Sequence, residues 1–194
     1  MSFALPRASL FDLNHLKDGT LRLLYRRRSH PWAAALFIGG ATLLTAYLSR
    51  KLSPSPEKGA TRRWYRALEK PGFTPPPAVF GPVWGTLYVA SAVSAWRVWR
   101  SPDSHERTTA LKLWASHLGV NALWSKLFFG EKRAIASLSD VGADLAMATG
   151  FTYYASQIDK TAGILAAPLT LWLILATALN EEIVRKNPGA FRMS

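Results

Sequence analysis

The sequence predicts an all-α membrane protein, a bundle of five transmembrane helices with a long proline- and aromatic-rich loop after the first. Three observations carry that expectation. Charged residues gather in short blocks, and between the blocks lie runs of about 18 or more residues with few or no ionised groups, the length at which a helix crosses bilayer hydrocarbon. Of the 194 residues, 49% are hydrophobic and eight are Trp, a share rich in apolar and aromatic material for this size. Backbone in lipid has no water to bond with, so runs of this length must close their own hydrogen bonds as helices. The mean hydropathy of +0.04 fits, because polar ends and a basic loop dilute the average.

Taken in order, residues 1–30 mix Leu and Phe with Arg7, Lys17, Arg22 and the run Arg26, Arg27, Arg28. They are expected to form a basic juxtamembrane segment. Asp12 and Asp18 argue against a mitochondrial transit peptide, and no apolar core with a small-residue cleavage site marks a secretory signal. A five-helix domain is expected over 31–186. Its first span covers about 31–49, with Gly39 and Gly40 where a neighbouring helix or ligand can approach the backbone. The loop that follows, to about Pro77, has too much Pro, Gly and charge for a continuous helix. The remaining spans are expected at about 79–99, 111–129, 134–157 and 161–184, with a short tail at 187–194. Five spans place the two termini on opposite sides of the membrane. Lys and Arg are nearly balanced between those sides, so the positive-inside rule does not set the orientation. Nor does the sequence choose between a bacterial envelope and an organelle membrane such as the mitochondrial outer membrane.

The net charge is +12. In a soluble chain that balance suggests nucleic acid. Beside apolar spans the cations meet anionic headgroups and snorkel from helix ends, and no nucleic-acid partner is expected. Cysteine is absent, which excludes disulfides, thiolate nucleophiles and thiolate metal sites.

At about 100° per residue, Trp114, His117, Asn121, Trp124 and Phe128 of the third span fall within a sector of roughly 80°. Ala115, Gly119 and Ala122 fall opposite. The first stripe suits either a pocket wall or helix packing; the second suits close approach by another helix, including that of a second protomer. His117 is open to two readings, a haem ligand or a hydrogen-bonded bundle residue. On the fourth span Ser137, Asp140, Asp144, Met147 and Phe151 share a face. Two acids one turn apart inside a membrane suggest either a proton relay or a packed arrangement in which Asp140 bonds neighbouring helices and Asp144 faces a wet cavity. Trp172, Ala176 and Asn180 align on the fifth span. No catalytic constellation, metal spacing or phosphate loop is present.

Four segments resemble the TspO/MBR family, the translocator proteins or peripheral-type benzodiazepine receptors: WYRALEKPGFTPPP at 64–77, FGPVWGTLY at 80–88, NALWSKLFFG at 121–130 and PLTLWLILATALN at 168–180. They occur in family order and spacing over roughly residues 32–186. The resemblance implies a five-helix bundle, commonly dimeric, that binds porphyrins, sterols and synthetic isoquinoline or benzodiazepine ligands. It carries over, as ligand-binding residues, Trp64 and Tyr65 in a lid, Trp84, Asn121, Trp124, Trp172 and Ala176. His117 joins them from the face it shares with Asn121, at a position where the family often has an amide.

A tetrapyrrole is a wide apolar disc with carboxylates on one rim, so it needs aromatic walls and cations near the water line. Arg62, Arg63, Arg66 and Lys70 are placed to pair with those carboxylates. In animal members a proposed sterol motif has a Tyr after the Leu-Asn pair of the last helix; here Asn180 is followed by Glu181 and Glu182, so the resemblance gives sterol binding no support.

The expected function is therefore that of a TspO-like membrane receptor or carrier for porphyrins, protoporphyrin IX or haem, acting in their transport, sensing or turnover. No obligatory cofactor or metal is expected. A homodimer is expected through Ala115, Gly119 and Ala122. The alternatives are a proton-coupled exporter using Asp140 and Asp144, and light-dependent porphyrin degradation using Trp84 and Trp172.

Overall fold

A computed structural model describes residues 31–52 and 59–192. The juxtamembrane reading of residues 1–30 lies outside the described residues. Among the described residues the fold is helical and contains no strand: α1 (Pro31–Leu52), α2 (Gly59–Ala67), α3 (Pro77–Arg100), α4 (His105–Ser125) continued by a π-helical turn (Lys126–Glu131), α5 (Ala134–Ile158), α6 (Lys160–Lys186) and a final 3-10 turn (Pro188–Ala190).

Where continuous helix was excluded, the loop carries the nine-residue α2. Its sequence GATRRWYRA puts Trp64 and Tyr65 on one side and Arg62, Arg63 and Arg66 in solvent, so the short helix is held by packing rather than by its own length.

The long helices close into a ring in the order α1, α4, α5, α6, α3. The closest pairings are α5 with α6 and α4 with α5. Three helices, α1, α3 and α6, are long and apolar enough to cross a membrane. Their exposed faces carry Leu36, Phe37, Leu43, Val89, Ile164 and Leu171, the pattern of surface that meets lipid rather than water. Helices α4 and α5 fall below that hydropathy because they hold His117, Asn121, Asp140 and Asp144, and all four side chains are buried.

The α5–α6 hairpin turns on one residue. Asp159 caps α6 by accepting from the Ala162 amide at 3.1 Å and pairs with Arg97 of α3 at 2.7 Å. Just beyond it, a Cβ added to Gly163 would meet Ser156 Cα at 2.7 Å and its Cβ at 2.6 Å. Ala there would gain helix propensity of about 1 kcal/mol and lose more to a backbone clash that side-chain rotation cannot relieve. Gly163→Ala is expected to lower stability by about 1–2 kcal/mol in a detergent thermal melt, whereas Gly142→Ala, in open space, raises it by about 0.5–1 kcal/mol. A melt that leaves Gly163→Ala at or above wild type would mean the two helices are not this close.

Gly39 and Gly40 face no described helix within contact of a Cβ. The small-residue stripe of α4 divides: Ala115 and Gly119 are exposed, but Ala122 is buried inside the bundle, where it is not free to meet a second protomer.

Candidate functional site

Two aromatic groups form, one under α2 and one between α3 and α6 with Trp172 at the middle of α6. The first is the lid. Trp64 of α2 meets Phe128 and Phe191 edge-on at 5.9 and 5.4 Å and donates through Nε1 to the Ala190 carbonyl at 3.3 Å. Tyr65 meets Phe129 at 5.4 Å. The π-helical turn makes this possible. Its wider winding brings the adjacent Phe128 and Phe129 both against Trp124, one stacked at 4.9 Å and one perpendicular at 5.6 Å.

The turn ends at Lys132, which adopts a left-handed φ of 55° and sets its ammonium 4.8 Å from the Trp64 ring centre. The C-terminal turn then clamps the lid. Asn187 accepts from the Glu69 amide at 2.9 Å and donates to the Glu69 carbonyl at 2.8 Å, while Lys186 donates to the Glu69 carboxylate at 2.8 Å. That hydrogen bond and the Lys186 charge hold the Glu69 carboxyl below its usual range, so this tie is present at neutral pH and is lost as pH falls through the depressed value.

The second group joins α3 and α6. Trp84 and Trp172 are half-buried and perpendicular, 6.4 Å apart, with Phe80 against Trp172 at 5.6 Å and Tyr88 beside Trp84 at 5.5 Å. Ala176 is also half-buried, one turn further along α6. Expected ligand residues thus fall into two sets, with Trp64, Tyr65 and Trp124 in the lid cluster and Trp84 and Trp172 in the other.

Asn121 lies behind this second group in a buried polar chain. Tyr88 Oη donates to Asn121 Oδ1, Asn121 Nδ2 donates to Asp144 Oδ2 at 2.8 Å, and His117 Nδ1 meets Asp144 Oδ1. Three helices meet there. His117 is fully enclosed, so it belongs to the packing of α4 against α5 and not to an accessible pocket wall. The packed reading is corrected at Asp144, which is buried and bonded across helices rather than facing a wet cavity, while Asp140 Oδ2 is buried without a hydrogen-bond partner among the described residues. The pairing was hidden from the sequence because the partner histidine lies 27 residues away on another helix.

The loop cations separate as well. Arg62, Arg63 and Arg66 are exposed, but Lys70 folds back to donate to the Tyr65 and Leu68 carbonyls and covers the Tyr65 ring at 4.6 Å. Lys132, absent from the expected cations, stands at the lid instead. Its position beside NALWSKLFFG was the available signal. The third-span stripe is otherwise as the periodicity has it: Trp114, His117, Asn121 and Phe128 are all buried, with Trp114 Nε1 donating to Ser91 at 3.0 Å.

The TspO/MBR family model matches residues 32–185. Among curated proteins, the chain is 34% identical over 163 residues to "Translocator protein" of Sus scrofa, covering 82% of this chain and 93% of that protein. It is 32% identical over the same length to "Translocator protein" of Homo sapiens, with the same coverage. It is 36% identical over 124 residues to "Tryptophan-rich sensory protein" of Cereibacter sphaeroides, covering 64% of this chain and 77% of that protein.

Proposed function

Since the chain belongs to the TspO/MBR family, we propose that it is a membrane receptor or carrier that binds porphyrins and related planar apolar ligands beneath the α2 lid. The observation that carries this reading is the half-buried perpendicular pair Trp84 and Trp172, with Trp84 in the half of α3 that follows the loop bearing α2 and its three exposed arginines. Aromatic faces suit the macrocycle, and Arg62, Arg63 and Arg66 suit its carboxylates. Membrane passage by five helices is part of the proposal: α4 and α5 turn their polar side chains toward one another, which lets both cross beside the three apolar helices. A proton-coupled exporter draws less support, because both carboxylate oxygens of Asp144 are already engaged.

Protoporphyrin titration of the full chain in neutral detergent, read by tryptophan quenching, tests the proposal. Trp84→Ala with Trp172→Ala is expected to weaken binding about tenfold or more, while Trp99→Ala, at the opposite end of α3, leaves it unchanged. Equal affinity in wild type and the double variant would refute the site. A linear, unsaturable signal in wild type would refute the binding itself.

A further inference from the structure

The end of the bundle opposite the lid carries a recess that the proposed porphyrin site does not use. Helix α3 has 24 residues and so runs about 36 Å from the lid end to Arg100. There Trp96, Arg97, Arg100, Ser101 and Asp159 line a recess of about 250 Å³. The Arg100 guanidinium lies over the Trp96 ring at 4.7 Å. Arg97 gives Nη2 to Asp159 at 2.7 Å, but its Nε and the Nε1 of Trp96 are buried with no partner among the described residues. A buried donor without an acceptor is costly, and an anion held by the exposed Arg100 guanidinium would let Arg97 or Trp96 turn a donor toward it and relieve that cost.

Trp96 is also a wall of a second feature. A groove of about 200 Å³ runs between α1 and α3, lined by Ala35, Ile38, Gly39, Ala92, Val93 and Trp96. It is apolar throughout. Gly39 keeps it open, since a Cβ there would meet nothing within 4 Å. The groove lies on α1 and α3, two of the three helices fit to cross a membrane, and it shares Trp96 with the cationic recess.

We propose that recess and groove together form one site for an anionic lipid, with the phosphate at Arg97 and Arg100 and an acyl chain past Gly39. The polar and apolar parts meet at Trp96, which matches the headgroup–chain boundary of an amphiphile; Trp and Arg at a helix end are the residues that anchor to that level of a bilayer. Asp159 does not cancel the charge, because two arginines face one carboxylate. A free phosphate would use only the recess, and a second copy of the chain only the groove.

Native mass spectrometry of the full chain from neutral micelles doped equally with dioleoyl phosphatidylglycerol and dioleoyl phosphatidylcholine separates these occupants. The expected result is one phosphatidylglycerol retained about tenfold over phosphatidylcholine: both lipids carry the phosphodiester, but the choline ammonium of the second sets a like charge beside Arg97 and Arg100. Arg100→Gln, which leaves the Arg97–Asp159 pair intact, should remove most of that preference; Gly39→Leu should reduce retention of both lipids; and Arg62→Gln with Arg63→Gln, at the other end, should change neither. Equal retention of the two lipids, or an equal loss from the Arg62/Arg63 control, would overturn the site in favour of general surface charge. Displacement by excess inorganic phosphate would overturn the lipid assignment. So would a Gly39→Leu variant that changes the monomer–dimer ratio and not lipid retention. Protoporphyrin affinity is expected to stay at the wild-type value in Arg100→Gln, so a failure here is distinct from a failure of the lid site.

Discussion

Asp144→Ala is expected to destabilise the protein by about 3–5 kcal/mol in a thermal or denaturant melt in detergent. An ordinary interhelical hydrogen bond in a membrane protein averages only about 0.6 kcal/mol, so bond counting alone predicts a small effect. The expected size comes from what is left behind. Asp144 is 2% exposed and takes His117 on one oxygen and Asn121 on the other. Its removal strands an imidazole and an amide inside the bundle, the situation in which breaking a buried pair costs several kcal/mol. Tyr88 then loses alignment too, because Asn121 is its acceptor.

Asp144→Asn separates shape from charge: it keeps the volume, its amide oxygen can still accept from Asn121 and its N–H can donate to His117 Nδ1 in the other tautomer, so it should cost only about 1–2 kcal/mol. A double-mutant cycle of Asp144→Ala with His117→Ala should give a coupling of about 1–3 kcal/mol. Additive losses would mean the two side chains do not meet, and a loss under about 0.5 kcal/mol in Asp144→Ala would remove the network from any part in holding α4 to α5.

How much of this was legible beforehand follows from what periodicity can encode. Position around a single helix is local information, so the inward stripe of Trp114, His117, Asn121 and Phe128 followed from a step of 100° per residue. The acids were equally visible as costly intramembrane groups. Which partner each acid takes is set by how helices are arranged around the ring, and the ring order places α3 between α6 and α1, a fact no spacing records. Hence Asp140 and Asp144 could be singled out, but the packed reading gave the cross-helix bonds to Asp140, whereas Asp144 makes them. The π-helical turn broke the rule itself: a strict 3.6-residue helix separates Phe128 from Phe129 by a step, and the wider turn sets both against Trp124. Lys70 shows a third limit. Its charge was legible, but its use on the Tyr65 and Leu68 carbonyls depends on the loop's path. The family membership was legible because four motifs in order constrain far more than any one of them, and the matched residues 32–185 span all four.

Phe128→Ala is expected to unlatch the lid before it unfolds the bundle. Phe128 is 1% exposed and its ring meets Trp64, Trp124, Phe129 and Phe191. A Phe→Ala change at such a site costs about 3–5 kcal/mol, most of it in a cavity that four large rings cannot collapse to fill. The cost falls on one element: α2 has nine residues and no buried side chain of its own, so its docking rests on Trp64, Tyr65 and the Asn187 clamp. Local opening should therefore precede global unfolding. Limited trypsin digestion reads it at Arg62, Arg63 and Arg66, with cleavage at least about tenfold faster than in wild type, while Phe73→Ala, at an exposed ring, stays within twofold. If α2 is the gate to the Trp84–Trp172 pair, protoporphyrin association should accelerate in the same variant, because the open population rises. Unchanged cleavage would show that the aromatic cluster does not hold α2 down. Faster cleavage with unchanged association would show that the ligand reaches the bundle by a route that avoids the lid.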